Sequence, residues 1–221
     1  MRPLTPVVKN LLIINVIMFV IMYIAEGRGI PLQGMLAMWY FDCEFFRPYQ
    51  IVSHMFMHGG LMHLFFNMFA LYMFGTALES VWGPKRFLIF YFVTGLGAAA
   101  LHMGAQALEI YLLTDSITVD NPFVSEAVKN IYYSRVVGAS GAVFGLLLGF
   151  AMLFPNTELM IIFIPIPIKA KYFVIFYGIG TLFFGVADFS WDNIAHFAHL
   201  GGMLFGYLLI IYWRKRRNSF Y

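Results

Sequence analysis

At 221 residues, 61% hydrophobic and only 11% charged, with a mean hydropathy of +0.78, the chain has too few charges to cover a soluble globule and too much apolar surface to leave in water. That excludes a soluble enzyme or binding module and makes this an integral membrane protein, and a net charge of only +3 gives no case for a nucleic-acid partner. The single cysteine, Cys43, permits no internal disulfide.

Six charge-poor runs read as membrane spans, at roughly 10–25, 55–78, 87–108, 138–154, 171–187 and 194–213. They predict an all-α membrane protein, a six-helix bundle forming one domain over residues 1–221. The first run follows Lys9 and shows no small-residue cleavage site, so it reads as a retained span. Residues 27–50 carry Met35, Met38, Trp39, Tyr40, Phe41, Phe45 and Phe46 but are too interrupted to span, which predicts an amphipathic segment in the outer interface. Residues 109–137 mix Asp, Ser, Thr and Asn and predict an extracytoplasmic loop with a short helix from Pro122 onward. The fourth run, Gly138 to Phe154, is 17 residues. It rises about 25 Å against a hydrocarbon core of about 30 Å, so its ends lie below the surface or under other protein. Between the fourth and fifth runs, Ile161 to Ile168 is apolar, but Pro165 and Pro167 forbid a helix and predict an extended interfacial loop.

Charge asymmetry orients these runs. Arg2, Lys9, Lys85, Arg86, Lys169, Lys171, Arg214, Lys215, Arg216 and Arg217 fall on one side, which predicts that both termini are cytoplasmic. Arg28, Arg47, Lys129 and Arg135 fall on the other, with most of the acids. The terminal basic cluster reads as an anchor to membrane lipids. The second, fourth and sixth spans then descend from the outer face, which puts Ser140, His199, His63 and Asn67 at comparable depth beneath it.

Polar side chains inside spans are costly, so their positions point to function. Five of the six histidines fall in two groups, His54-x3-His58-x4-His63-x3-Asn67 and His196-x2-His199. His63 and Asn67 are four apart and share a helix face. Gly138, Gly141, Gly145 and Gly149 recur along the fourth span, and Gly202-x3-Gly206 follows His199. Small residues at such spacing let helices pack backbone to backbone. If these two faces meet, Ser140 and His199 come within reach. A serine hydroxyl needs a base to take its proton, and a neutral imidazole, here His199, can serve. The Ser140 N–H, the Asn67 amide and the His63 ring could then donate to an oxyanion. No acid lies within the membrane near His199, which predicts a dyad and not a triad; Asp188 and Asp192 read as loop residues.

Gly138-Ala139-Ser140-Gly141, the run Ala195 to Gly206 and the His54 to Asn67 pattern together resemble the rhomboid family of intramembrane serine proteases, over about Arg47 to Gly206. The resemblance implies Ser140 as nucleophile and His199 as general base, since glycines follow His199 at three and seven residues as they follow the family's base. It leaves His196 as a packing residue and implies His63 and Asn67 in the oxyanion site, with Gly138, Gly141, Phe144, Gly202 and Gly206 in support. Glu79 and Arg86 resemble a structural polar cluster at the cytoplasmic end. The resemblance further implies transmembrane proteins as substrates, no cofactor or metal, and a bacterial inner membrane with the site opening outward.

Two positions depart from the family's pattern. Tyr49-Gln50 stands where Trp-Arg is frequent, and Phe144 stands where Tyr is frequent and can stack on the imidazole without a phenol hydrogen bond. Two other readings compete: a metal site gathered from the histidines, against which there is no His-Glu-x2-His, and an inert rhomboid-like binder of transmembrane segments.

Overall fold

The computed structural model describes residues 4–121, 123–161, 164–187 and 196–215. Six apolar helices form the bundle: α1 (Pro6–Gly27), α2 (Leu61–Trp82), α3 (Pro84–Thr114), α4 (Ser140–Leu153), α5 (Ala170–Ala187) and α6 (His196–Lys215). By length and composition α1, α2, α3 and α6 can each cross a membrane, whereas α4 and α5 are shorter apolar helices. Large apolar side chains exposed on α1, α5 and the outer flanks of α2 and α6, such as Ile17, Phe65, Phe176 and Leu208, supply a lipid-facing surface.

Helix ends follow from local chemistry. Pro6 and Pro84 open α1 and α3, where a missing N–H costs nothing. Glu79, buried in the last turns of α2, accepts hydrogen bonds from the Val7 and Val8 amides at 3.0 and 2.9 Å and so caps α1. Glu79 and Arg86 therefore serve separate contacts: the Arg86 guanidinium lies 5.9 Å from the Trp213 ring centre. A single glycine, Gly83 at φ +76°, makes the tight link from α2 to α3. With 31 residues, α3 is about 46 Å long and stands beyond the hydrocarbon core.

The short helix α4 sits at the centre, in contact with α2, α3, α5 and α6. None of its 14 residues is exposed. Surrounding protein thus solves the length deficit: its ends are covered by neighbours and do not meet lipid.

Local structure departs from the sequence reading in three places. The second helix begins at Leu61, not near 55: Gln50–Ser53 and His54–Phe56 are short helical turns, and extended residues lead from them through Gly59 and Gly60. His54 and His58 therefore lie in a loop above α2. Residues 27–50 do more than lie in an interface. They hold a short helix (Leu32–Leu36) and a strand β1 (Met38–Trp39) that pairs antiparallel with β2 (Arg135–Val136), Trp39 opposite Arg135. The two outer loops are further tied by Tyr40 Oη donating to Ile117 O (2.8 Å), Tyr132 Oη donating to Asp42 O (2.7 Å) and Val119 N–H donating to Asp42 Oδ2 (2.8 Å). Burial and the nearby Asp42 carboxylate push the Tyr40 phenol up to about 12. On the other side of the bundle, β3 (Glu158–Ile161) and β4 (Ile164–Lys169) form an antiparallel hairpin, which admits prolines because both of its strands are edges. The helix expected after Pro122 runs from Glu126 to Tyr132, capped by Ser125 accepting from the Val128 N–H. Asp188, Asp192, Arg2, Arg216, Arg217 and Pro122 lie outside the described residues.

Candidate active site

The first residue of α4 and the first described turn of α6 converge beneath the loops joined by β1 and β2. Ser140 is the first residue of α4 and His199 the fourth of α6, and Nε2 of His199 lies 3.0 Å from Oγ of Ser140. The approach is set by glycine. A Cβ on Gly202 would run into the Gly141 carbonyl, and one on Gly206 would stand 3.5 Å from Gly145 Cα. The third helix closes the junction, which the sequence did not announce: a Cβ on Gly201 would meet Ala98 Cα at 2.8 Å, and one on Gly145 would meet Thr94 at 2.5 Å. Gly149, in the same glycine series, faces Trp82 and Phe90 instead of α6.

The imidazole is held from the side. Phe144, one turn after Ser140, stacks on His199 with ring centres 4.1 Å apart and planes 29° apart, and Tyr177 of α5 packs on Phe144 at 4.9 Å. His199 is 8% exposed, and among the described residues no carboxylate hydrogen-bonds to it. His196 packs against Phe184 (5.9 Å) and stands edge-on to His199 (6.5 Å).

Opposite Ser140, the Gly59 N–H donates to His63 Nδ1 at 3.3 Å. A neutral His63 so held carries its proton on Nε2, the nitrogen beside Gly138, where a Cβ would come within 2.8 Å of it. Gly138 also has φ +119°, so both its backbone and its neighbour require glycine. Its N–H donates to His54 O (2.9 Å), which anchors the strand before Ser140 to the turn above α2. That turn is held in its own right, with His54 Nδ1 2.8 Å from Gln50 O. Burial holds the His54 imidazole below the usual histidine range, against the smaller opposing effect of its backbone hydrogen bonds. Asn67 donates through Nδ2 to His63 O at 2.8 Å and retains a second N–H on that nitrogen.

Ser140, His199, His63, Asn67 and Phe144 all line one cavity of about 700 Å³. Its walls are aromatic: Phe66, Phe69 and Phe74 from α2, Phe173 and Tyr177 from α5, with Arg135, Val136 and Val137 along the outer edge. The sequence pointed to the polar members because each was an anomaly in an apolar run. It gave no sign of the aromatic wall, since a phenylalanine facing a cavity reads like one facing lipid. The Tyr49-Gln50 pair also has a place: Gln50 is buried, donates to Met35 O and Phe45 O (both 3.0 Å) and accepts from the Arg47 N–H (3.0 Å), bracing the first outer loop. Among the described residues no three His, Cys, Asp or Glu side chains gather as a metal-binding set.

A serine and an imidazole at hydrogen-bond distance, with two further N–H donors across the same cavity, can perform acyl transfer. Among curated proteins, the chain is 27% identical over 158 residues to the mitochondrial rhomboid protein 1 of Saccharomyces cerevisiae, covering 72% of this chain and 40% of that protein. It is 30% identical over 156 residues to the mitochondrial RHOMBOID-like protein 12 of Arabidopsis thaliana, covering 71% and 44%. With the rhomboid protease AarA of Providencia stuartii it shares 26% over 167 residues, covering 71% and 53%. The chain thus spans about half the length of these relatives or less. The Rhomboid domain model matches residues 46–216, most of the sequence and every element of the cavity, and the chain belongs to the rhomboid family.

Proposed function

We propose that this protein is an intramembrane serine endopeptidase that cleaves transmembrane or membrane-proximal segments of other membrane proteins near the outer leaflet, as a six-span protein with both termini in the cytoplasm. The observation that carries this is the 3.0 Å contact between Ser140 Oγ and His199 Nε2 inside a cavity that also presents His63 and Asn67.

In this reading His199 Nε2 takes the Ser140 proton as Oγ attacks the carbonyl carbon of the scissile bond. The resulting oxyanion is stabilised by the Ser140 N–H at the start of α4, His63 Nε2–H and the free N–H of Asn67. Collapse breaks the C–N bond, His199 returns the proton to the leaving amine, and an ester joins Ser140 to the acyl fragment. Water, deprotonated by His199, then hydrolyses that ester and restores the hydroxyl. With no carboxylate on it among the described residues, the imidazole relies on the Phe144 stack for its orientation.

A helical carbonyl is hydrogen-bonded and shielded, so the substrate must unwind to be cut. Small or helix-breaking residues near the cut favour this, and the cavity between α2 and α5 offers the route by which a segment reaches Ser140. The test is cleavage of a model transmembrane substrate in liposomes, with labelling by a serine-directed fluorophosphonate. Wild type cleaves and is labelled, and both are lost in Ser140→Ala and His199→Ala. Cleavage or labelling that persists unchanged in both variants rejects the reading.

A further inference from the structure

Among the described residues that line the cavity holding Ser140 and His199, one carries a fixed charge, and it is Arg135. Its side chain is exposed at the outer edge, five residues before Ser140 on the strand that leads into α4. An aromatic face braces the guanidinium there. It lies 5.9 Å from the ring centre of Trp39, its cross-strand neighbour. Trp39 is itself fixed by its Nε1–H donating to Gly34 O at 2.7 Å and by Phe45 at 5.2 Å. Gly34 lies alongside the group: a Cβ there would be in contact with Arg135 Nη1 at 3.4 Å.

Among the described residues Arg135 has no anion. Among the described residues the one ion pair is Lys129 with Glu126, and no carboxylate or other hydrogen-bond acceptor engages Arg135. A planar guanidinium braced on an aromatic face keeps its N–H edges free and suits a carboxylate that can accept two of them. A lipid phosphate has the same appeal to a guanidinium. The placement favours the substrate, because Arg135 shares the cavity lining with the reacting hydroxyl, whereas a lipid anchor needs only an outward-facing position.

We infer that Arg135 is a specificity-determining residue that selects substrates carrying an acidic side chain within about five residues of the scissile bond, on the outer side. The distance follows from the chain itself: five residues separate Arg135 from Ser140, and a substrate strand crossing the same stretch advances about 3.3 Å per residue. This inference rests on the protease reading above.

The test uses the full chain in vesicles of zwitterionic lipid and model transmembrane substrates that differ at one position, scanned through the five residues outside the cut, as Asp, Asn or Lys. The quantity read is the ratio of kcat/KM for Asp over Lys, a ratio that tolerates a change in the amount of folded enzyme. Wild type gives a ratio of about ten or more at one or more positions, carried mainly by KM, as a charge pair made equally in the bound and transition states requires. Arg135→Gln brings that ratio toward one, and Arg135→Glu inverts it. The same ratio in wild type and Arg135→Glu overturns the selection, as does a uniform loss on all substrates with the ratio preserved, which would make Arg135 a lipid or loop anchor. Wild type that cleaves none of the substrates overturns the protease reading itself, a result distinct from an unchanged ratio.

Discussion

Gly202 of α6 lies against the carbonyl of Gly141 on α4 so closely that no side chain fits between them, and this contact sets how near His199 comes to Ser140. Gly202→Ala must push the two helices apart by more than a neighbouring side chain can absorb, because the obstacle is backbone. Overpacking of this kind costs about 1–3 kcal/mol, and a displacement of about 1 Å at a reacting pair lowers the rate on the order of 100-fold. We expect Gly202→Ala to lower the thermal midpoint in detergent and nearly abolish cleavage. Gly180→Ala on α5, where a Cβ meets nothing within 4 Å, should change neither. Full activity in Gly202→Ala would falsify this account of the helix junction.

If His63 and Asn67 donate to the oxyanion as proposed, each should matter to turnover more than to binding. His63→Ala and Asn67→Ala are expected to reduce kcat between about tenfold and 1,000-fold with KM little changed. A rise in KM at constant kcat would assign these residues to substrate binding and remove them from the oxyanion site.

Phe144 stacks on an imidazole that, among the described residues, has no carboxylate behind it, and in the proposed mechanism this stack orients the base. Phe144→Ala should reduce kcat on the order of tenfold, while Phe144→Tyr, which keeps the stack, should retain most of the activity. Equal activity in Phe144→Ala and wild type would show that the stack does not position the base.

The brace at Gln50 predicts a stability effect. Gln50→Ala removes three hydrogen bonds to backbone groups; Met35 O keeps a second donor in the Tyr49 hydroxyl (3.2 Å), but Phe45 O and the Arg47 N–H lose their Gln50 partner, at a cost of about 1–3 kcal/mol. Thermal unfolding reads this directly, and an unchanged midpoint would show that water replaces the amide without loss.

His54 gives the fold an acid sensitivity with a definite sign. Burial holds its folded-state value below the ordinary one of about 6.5. The unfolded chain therefore binds a proton that the folded chain refuses, so stability is full above about pH 6.5 and falls as pH drops from there toward the depressed folded value. The thermal midpoint should decline between pH 7 and pH 5, and the decline should be smaller in His54→Gln. Identical pH slopes in the two proteins would remove His54 from the account.

The parts of this structure that sequence revealed are those where a physical rule leaves few choices. Lys and Arg placement predicts one depth for Ser140, His199, His63 and Asn67, and what the structure shows is that all four line one cavity. Glycine spacing announced the meeting of α4 and α6, because only a missing side chain allows that approach. It could not announce α3, which enters the same junction through Thr94 and Ala98, residues of no distinctive type. The start of α2 was misplaced because hydropathy measures transfer into lipid and says nothing of the backbone break at Gly59-Gly60. The pairing of β1 with β2 was illegible for another reason: two residues per strand are too few to show a period, and the partners lie far apart in sequence.

The bond from Glu79 to α1 has a consequence for biogenesis. Two amides at the start of α1 find their acceptor on the last turns of α2, so the start of α1 lacks this partner until α2 has been made and packed against it. The helices α1 and α2 thus form one packing unit, closed by the Glu79 carboxylate. Hydrogen exchange at Val7 and Val8 should be slow in wild type and fast in Glu79→Ala, and equally slow exchange in both would show that the helix start is protected by other means.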